Sequence, residues 1–108
     1  MSEIKVVQTG ARATILLGDI LAAADVPELK KEMKRLIGEG VTSIAIDSTH
    51  LTLLDSTGIG CLVAAHNSLA KLNGSLSIIQ ASPDIYDLLC SMRLDRHIKI
   101  IPQAPAQE

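Results

Sequence analysis

The stretch Ser43-Ile44-Ala45-Ile46-Asp47, followed by Ser48-Thr49-His50-Leu51-Thr52-Leu53-Leu54 and then Asp55-Ser56-Thr57-Gly58-Ile59-Gly60, decides how this chain folds. Its first five residues are too few for a helix and rich in β-branched side chains. They read as a strand buried on both faces that ends in a carboxylate, Asp47. Beyond the loop the period changes, and Ile59, Leu62, Val63, His66, Leu69 and Leu72 recur at three- and four-residue spacings up to Asn73-Gly74, a helix stop. A buried strand feeding a helix through a loop implies βαβ crossovers and a parallel sheet.

The flanking sequence extends the same pattern. Upstream, Asp25, Pro27 and Glu28 form an acidic variant of a capping box, with the proline where its missing N–H costs nothing. Val26, Leu29, Met33, Leu36 and Ile37 then form one apolar stripe, ended by Gly38 and Gly40. Further upstream, Ile4–Gln8 and Ala13–Leu17 are β-prone runs joined by the four residues Thr9–Arg12, a hairpin signal. Downstream, Leu76–Gln80 reads as a strand and Ser82-Pro83-Asp84 as a capped helix start, with Ile85, Leu88, Leu89 and Met92 as its buried stripe. Ile98–Ile101 closes the pattern. The expected fold class is α/β, with one mixed, mostly parallel sheet of about five strands and an N-terminal antiparallel hairpin, in the order β-β-α-β-α-β-α-β. Residues 1–101 form the one domain, and 102–108, with two prolines, form a flexible C-terminal tail.

Composition narrows the class of function. A chain of 108 residues has room for one core, and with no Phe or Trp and a single Tyr that core is aliphatic. Lys and Arg number 10 against 12 Asp and Glu, and they are not gathered into the patch that nucleic acid or an anionic membrane requires. The longest apolar stretch, Ile15–Val26, is interrupted by Gly18, Asp19 and Asp25, so no membrane span is expected. The N-terminus lacks the pattern of a secretory signal, and the expected location is cytoplasmic. Cys61 and Cys90 both fall in helical patterns and read as thiols. His50, His66, His97 and the two cysteines show no ligand spacing, so no metal is expected, and His66 reads as a half-buried core histidine.

In sheets of this kind functional loops lie beyond the carboxyl ends of the strands, which points to Asp47–Ser56. Asp55 or Ser56 can cap the helix that follows. Gly58 and Gly60 are poor helix formers, so their presence in a first turn suggests that something approaches the bare backbone closely. The residues alone leave two readings open, a plain helix cap or a site. Enzymatic alternatives lack their parts. A protease-type Asp-[Ser/Thr]-Gly is interrupted by an extra residue, a receiver's acidic pair is missing at Val6–Thr9, Asp55–Gly60 contains no phosphate-loop lysine, and no Gly-x-Ser-x-Gly elbow occurs.

The element order, the length and the segment Leu54-Asp55-Ser56-Thr57-Gly58-Ile59-Gly60 resemble the STAS domains that act as bacterial anti-sigma factor antagonists, over nearly all of Ile4–Ile101. The resemblance implies that Ser56 is the phosphoacceptor, with Thr57 as fallback, of a partner serine kinase that is also the anti-sigma factor. Unphosphorylated, the domain would bind that kinase and release the sigma factor. A metal-dependent serine/threonine phosphatase would reset Ser56. The domain would need no cofactor, have no enzyme activity and be a monomer when free. The implied partner-binding residues are Asp19, His50, Leu53, Asp55, Ser56, Thr57, Gly58 and Ile59. One departure stands out: where many relatives read Gly-Glu-Leu-Asp, this chain reads Gly18-Asp19-Ile20-Leu21, with Leu in place of the second acid. Either Asp25 substitutes or the contact is absent. The alternative role is a scaffold or regulatory subunit of a larger, stressosome-like sensory complex or of a transporter.

Overall fold

The computed structural model describes residues 4–103. Strands β1 (Lys5–Thr9) and β2 (Arg12–Leu16) pair antiparallel, with Thr9 opposite Arg12. Their connection is therefore the two residues Gly10-Ala11 rather than four, and Gly10 supplies the positive φ of 61° that so tight a turn uses. A two-residue strand β3 (Ile20–Leu21) and helix α1 (Val26–Gly38) follow, then β4 (Ser43–Asp47), a second two-residue strand β5 (Leu53–Leu54) and α2 (Ser56–Ala70). The chain continues through β6 (Ser75–Ala81), α3 (Pro83–Ser91), a 3-10 turn at Leu94–Arg96 and β7 (Lys99–Pro102). The main sheet has the order β1-β2-β4-β6-β7, parallel except for the first pair. This is the expected mixed five-stranded α/β architecture, with the β3–β5 pair added to it.

Alternation along the strands sets which face is buried. Ala13, Ile15, Ile44, Ile46, Leu76 and Ile78 are buried together with Leu29, Leu36, Leu62, Leu69 and Leu89 of the helices. β4, expected to be buried on both faces, is buried on one only. Its other face carries Ser43, Ala45 and Asp47, small or polar side chains that are half-buried.

The capping box at α1 does not form. Asp25 adopts helical angles (φ −93°, ψ −19°), and its carboxylate turns back on the preceding segment to accept from Ala22 N at 3.0 Å. The cap on α3 does form, with Ser82 Oγ accepting from Ile85 N at 3.3 Å. Leu72 and Met92, assigned by period to buried stripes, lie just past the ends of α2 and α3 and are exposed. The helix period no longer governs them there. Asn73 takes a left-handed φ of 59° as the chain leaves α2, as its stop signal implies. At the C-terminus the strand runs through Pro102, and Gln103 N donates to Ala81 O and its Nε2 to Thr49 O, so residues 102 and 103 of the expected tail pack on the domain. The rest of the expected tail, 104–108, lies outside the described residues.

Candidate functional site

In a parallel sheet the carboxyl ends of β2 and β4 share one rim, and two loops leave from it. Leu17 N donates to Asp47 O at 3.0 Å, which keeps the two exits adjacent. Ser48 is fully buried, and both its N–H and its hydroxyl donate to Ile79 O of β6 at 2.9 Å. Asp47 accepts from Thr49 N at 3.0 Å and from the Thr49 hydroxyl, so its carboxylate braces its own loop. The loops then meet. Asp19 O accepts from Thr52 N (2.8 Å), Leu53 N (3.1 Å) and Thr52 Oγ1 (3.1 Å), after which Ile20 pairs with Leu53 and Leu21 with Leu54. Two-residue runs carry no period, which is why β3 and β5 are not legible in the sequence.

This small parallel pair delivers the chain to the N-terminus of α2. Asp55, extended at φ −99° and ψ 176°, is the N-cap: Oδ1 accepts from Gly58 N at 2.8 Å. Its other oxygen, Oδ2, accepts from Ala23 N at 3.1 Å, and its own N–H donates to Leu21 O at 3.3 Å. One carboxylate thus ties the first turn of α2 to the turn that precedes α1. A Cβ on Gly58 would lie 2.5 Å from Leu21 O and 3.0 Å from both Leu21 Cγ and Leu54 Cδ1. The close approach inferred from the glycine is therefore made by this chain's own backbone. No such reason holds for Gly60, which has nothing within 4 Å of a Cβ position.

Leu21, where the family resemblance implies an acid, is buried under Gly58. Asp25 does not substitute for it at α2, because its carboxylate is engaged in its own turn.

The sequence-derived site residues divide into two layers. Ser56 and Thr57 are exposed on the first turn of α2, where backbone N–H groups have no carbonyl four residues back and the helix dipole is positive. Asp19 and His50 are exposed, Asp55 is half-buried, and Leu53 is 50% exposed. His50 lines a cleft of about 190 Å³ with Lys5, Leu16, Leu17 and Gly18, beside the Asp19 turn. Gly58 and Ile59 are buried behind this surface. Two residues missed in the sequence join the site: Ile20, 38% exposed and opposite Leu53, and Ala23, whose N–H anchors Asp55. Elsewhere His66 is half-buried on α2, with an Nδ1 that has no hydrogen-bond partner. Among the described residues no three His, Cys, Asp or Glu side chains converge as a metal site would need, and no helix is long and apolar enough to cross a membrane.

A mixed five-stranded sheet, three helices and an Asp-Ser-Thr-Gly helix start at the sheet's rim define a small α/β domain. The chain belongs to the STAS domain family, whose pattern matches residues 5–105. Similar solved structures include an anti-sigma factor antagonist from Mycobacterium paratuberculosis, with a TM-score of 0.83 and 16% identity over 95% of this chain and 87% of that one. The anti-sigma factor antagonist SpoIIAA in its unphosphorylated form gives 0.80 and 18%, covering 98% and 90%. The Bacillus cell fate determinant SpoIIAA in its phosphorylated form gives 0.74 and 19%, covering 98% and 93%. At these identities the likeness is one of fold. No curated protein matches the chain.

Proposed function

We propose that this chain is an anti-sigma factor antagonist whose docking is switched by phosphorylation of Ser56. The observation that carries the reading is the position of that hydroxyl: exposed, on the first residue of α2, beside a capping carboxylate whose two oxygens are already engaged by Gly58 N and Ala23 N. A kinase can reach it without unfolding anything. The partner is a serine-kinase anti-sigma factor, held by the unphosphorylated domain so that its sigma factor is released, and a metal-dependent phosphatase restores the free serine. The domain itself is a cytoplasmic monomer that needs no cofactor and catalyses nothing.

The docking face comprises Asp19, Ile20, His50, Leu53, Ser56 and Thr57, an apolar centre with polar neighbours, as in protein–protein contacts generally. A phosphate brings about −1.5 to −2 charges to that face. Docking would have to strip water from that dianion beside Asp55, at a cost of about 2–5 kcal/mol. That SpoIIAA has been solved in both phosphorylation states, each overlaying this chain, supports a modification that leaves the fold in place.

The test is incubation with the cognate kinase and ATP followed by mass spectrometry of the parent, Ser56→Ala and Thr57→Ala. Phosphate on the parent and on Thr57→Ala, and none on Ser56→Ala, is the expected result. Phosphate on Thr57, or on no residue, overturns the assignment.

A further inference from the structure

We propose that the groove between α1 and α2 binds a short aliphatic carboxylate, its tail against Met33, Ile37, Cys61 and Ala65 and its head between the ammonium groups of Lys30 and Lys34. The groove is remote in role from the docking face and uses none of its residues. Its floor is apolar, and the two lysines among its lining residues stand one helical turn apart, with no acid beside them.

Those lysines are electrostatically available. On the same helix Arg35 is paired with Glu32 at 2.9 Å and with Glu39 at 3.1 Å, whereas neither Lys30 nor Lys34 has a carboxylate within ion-pair distance among the described residues. Two unpaired cations over an apolar trough, on a chain of net charge −2, select an anion with a hydrocarbon part. The positive charge also reaches the floor: burial raises the Cys61 thiol, and the nearby Lys30 ammonium works against that rise. Size fixes the rest of the ligand. The groove is small, about 110 Å³, so the ligand is taken as a chain of a few methylenes.

The probe is hexanoate, added to the full chain and followed by amide shifts in NMR and by the alkylation rate of Cys61 with iodoacetamide. We expect saturable shifts centred on Lys30, Cys61 and Ala65. At hexanoate four times its dissociation constant, Cys61 alkylation slows about fivefold, as occupancy alone dictates. Hexylamine, with the same tail and the opposite charge, leaves both readouts unchanged. The surface variant Lys30→Glu/Lys34→Glu, checked for folding by circular dichroism, weakens hexanoate about tenfold or more. Shifts that do not saturate, equal effects of hexylamine, or undiminished binding to the double variant would each overturn the proposal.

Discussion

Replacing Gly58 by alanine tests the geometry on which the site rests. In an open helix this substitution is favourable by about 1 kcal/mol, since alanine is the better helix former. Here the new methyl lies 2.5 Å from Leu21 O, a backbone atom that cannot swing aside as a side-chain tip can. Relief requires the β3 segment to retreat, which strains packing by about 1–3 kcal/mol. It also weakens the Asp55 N to Leu21 O bond, worth about 0.5–1.5 kcal/mol. Set against the propensity gain, the balance is a loss of about 2 kcal/mol, or a fall in Tm of about 8–15 °C for a domain of this size. Gly60→Ala is the matched control: with nothing within 4 Å of its Cβ position it keeps only the gain, and its Tm rises by about 4 °C or more. Thermal and urea unfolding by circular dichroism measure both. A Gly58→Ala protein as stable as the parent would show that Leu21 does not press on α2 and that the two loops are not locked together.

Three other substitutions or conditions probe neighbouring contacts. Asp55→Ala removes the acceptor for both Gly58 N and Ala23 N and should cost about 1–2 kcal/mol in urea unfolding; an unchanged midpoint would mean the cap contributes nothing. Ser48→Ala leaves Ile79 O with its bond from residue 48's N–H but deletes the one from the buried hydroxyl, a loss of about 1 kcal/mol by the same assay. Cys61 carries a raised thiol pKa from burial, so the folded state holds that proton more tightly than the unfolded chain does. Its contribution to stability is present below the ordinary thiol pKa and is lost as pH rises past it, and Cys61→Ala should flatten the alkaline fall in Tm.

How far the sequence could be read follows from the length over which each signal repeats. The helices α1, α2 and α3 and the central strands are long enough for a period to show, and Ser82 lies in the extended conformation that lets a hydroxyl cap a helix. Asp25, with the same apparent role at α1, fails as a cap because its backbone is already helical, and no spacing rule reveals that. The glycines of the motif illustrate the same boundary. Their cost signals a close approach, but only the folded structure distinguishes Gly58, pressed by Leu21, from Gly60, with nothing within 4 Å of its Cβ position. The place of Ser56 and Thr57 in the first turn of α2 is legible from the motif. Ile20 is not, since it reaches the site through a two-residue strand pairing with Leu53 that leaves no periodic trace.

A charge placed on Ser56 meets two opposed fields inside the folded domain, and their near-cancellation decides whether the proposed switch acts on docking or on folding. The N-terminus of α2 attracts an anion by about 0.3–2 kcal/mol through its dipole and unsatisfied N–H groups. The adjacent Asp55 repels it by a comparable amount at surface dielectric, while its own oxygens remain held by Gly58 N and Ala23 N. Neither term dominates, so Ser56→Asp should melt within about 4 °C of the parent. On docking the cancellation ends, because burying the added carboxylate removes its water. Ser56→Asp should therefore lose kinase binding while Ser56→Ala retains it, measured by calorimetry on proteins of matched Tm. A Ser56→Asp domain that binds as tightly as the parent, or one that loses binding only because it has melted, would refute a switch that works through desolvation at an intact surface.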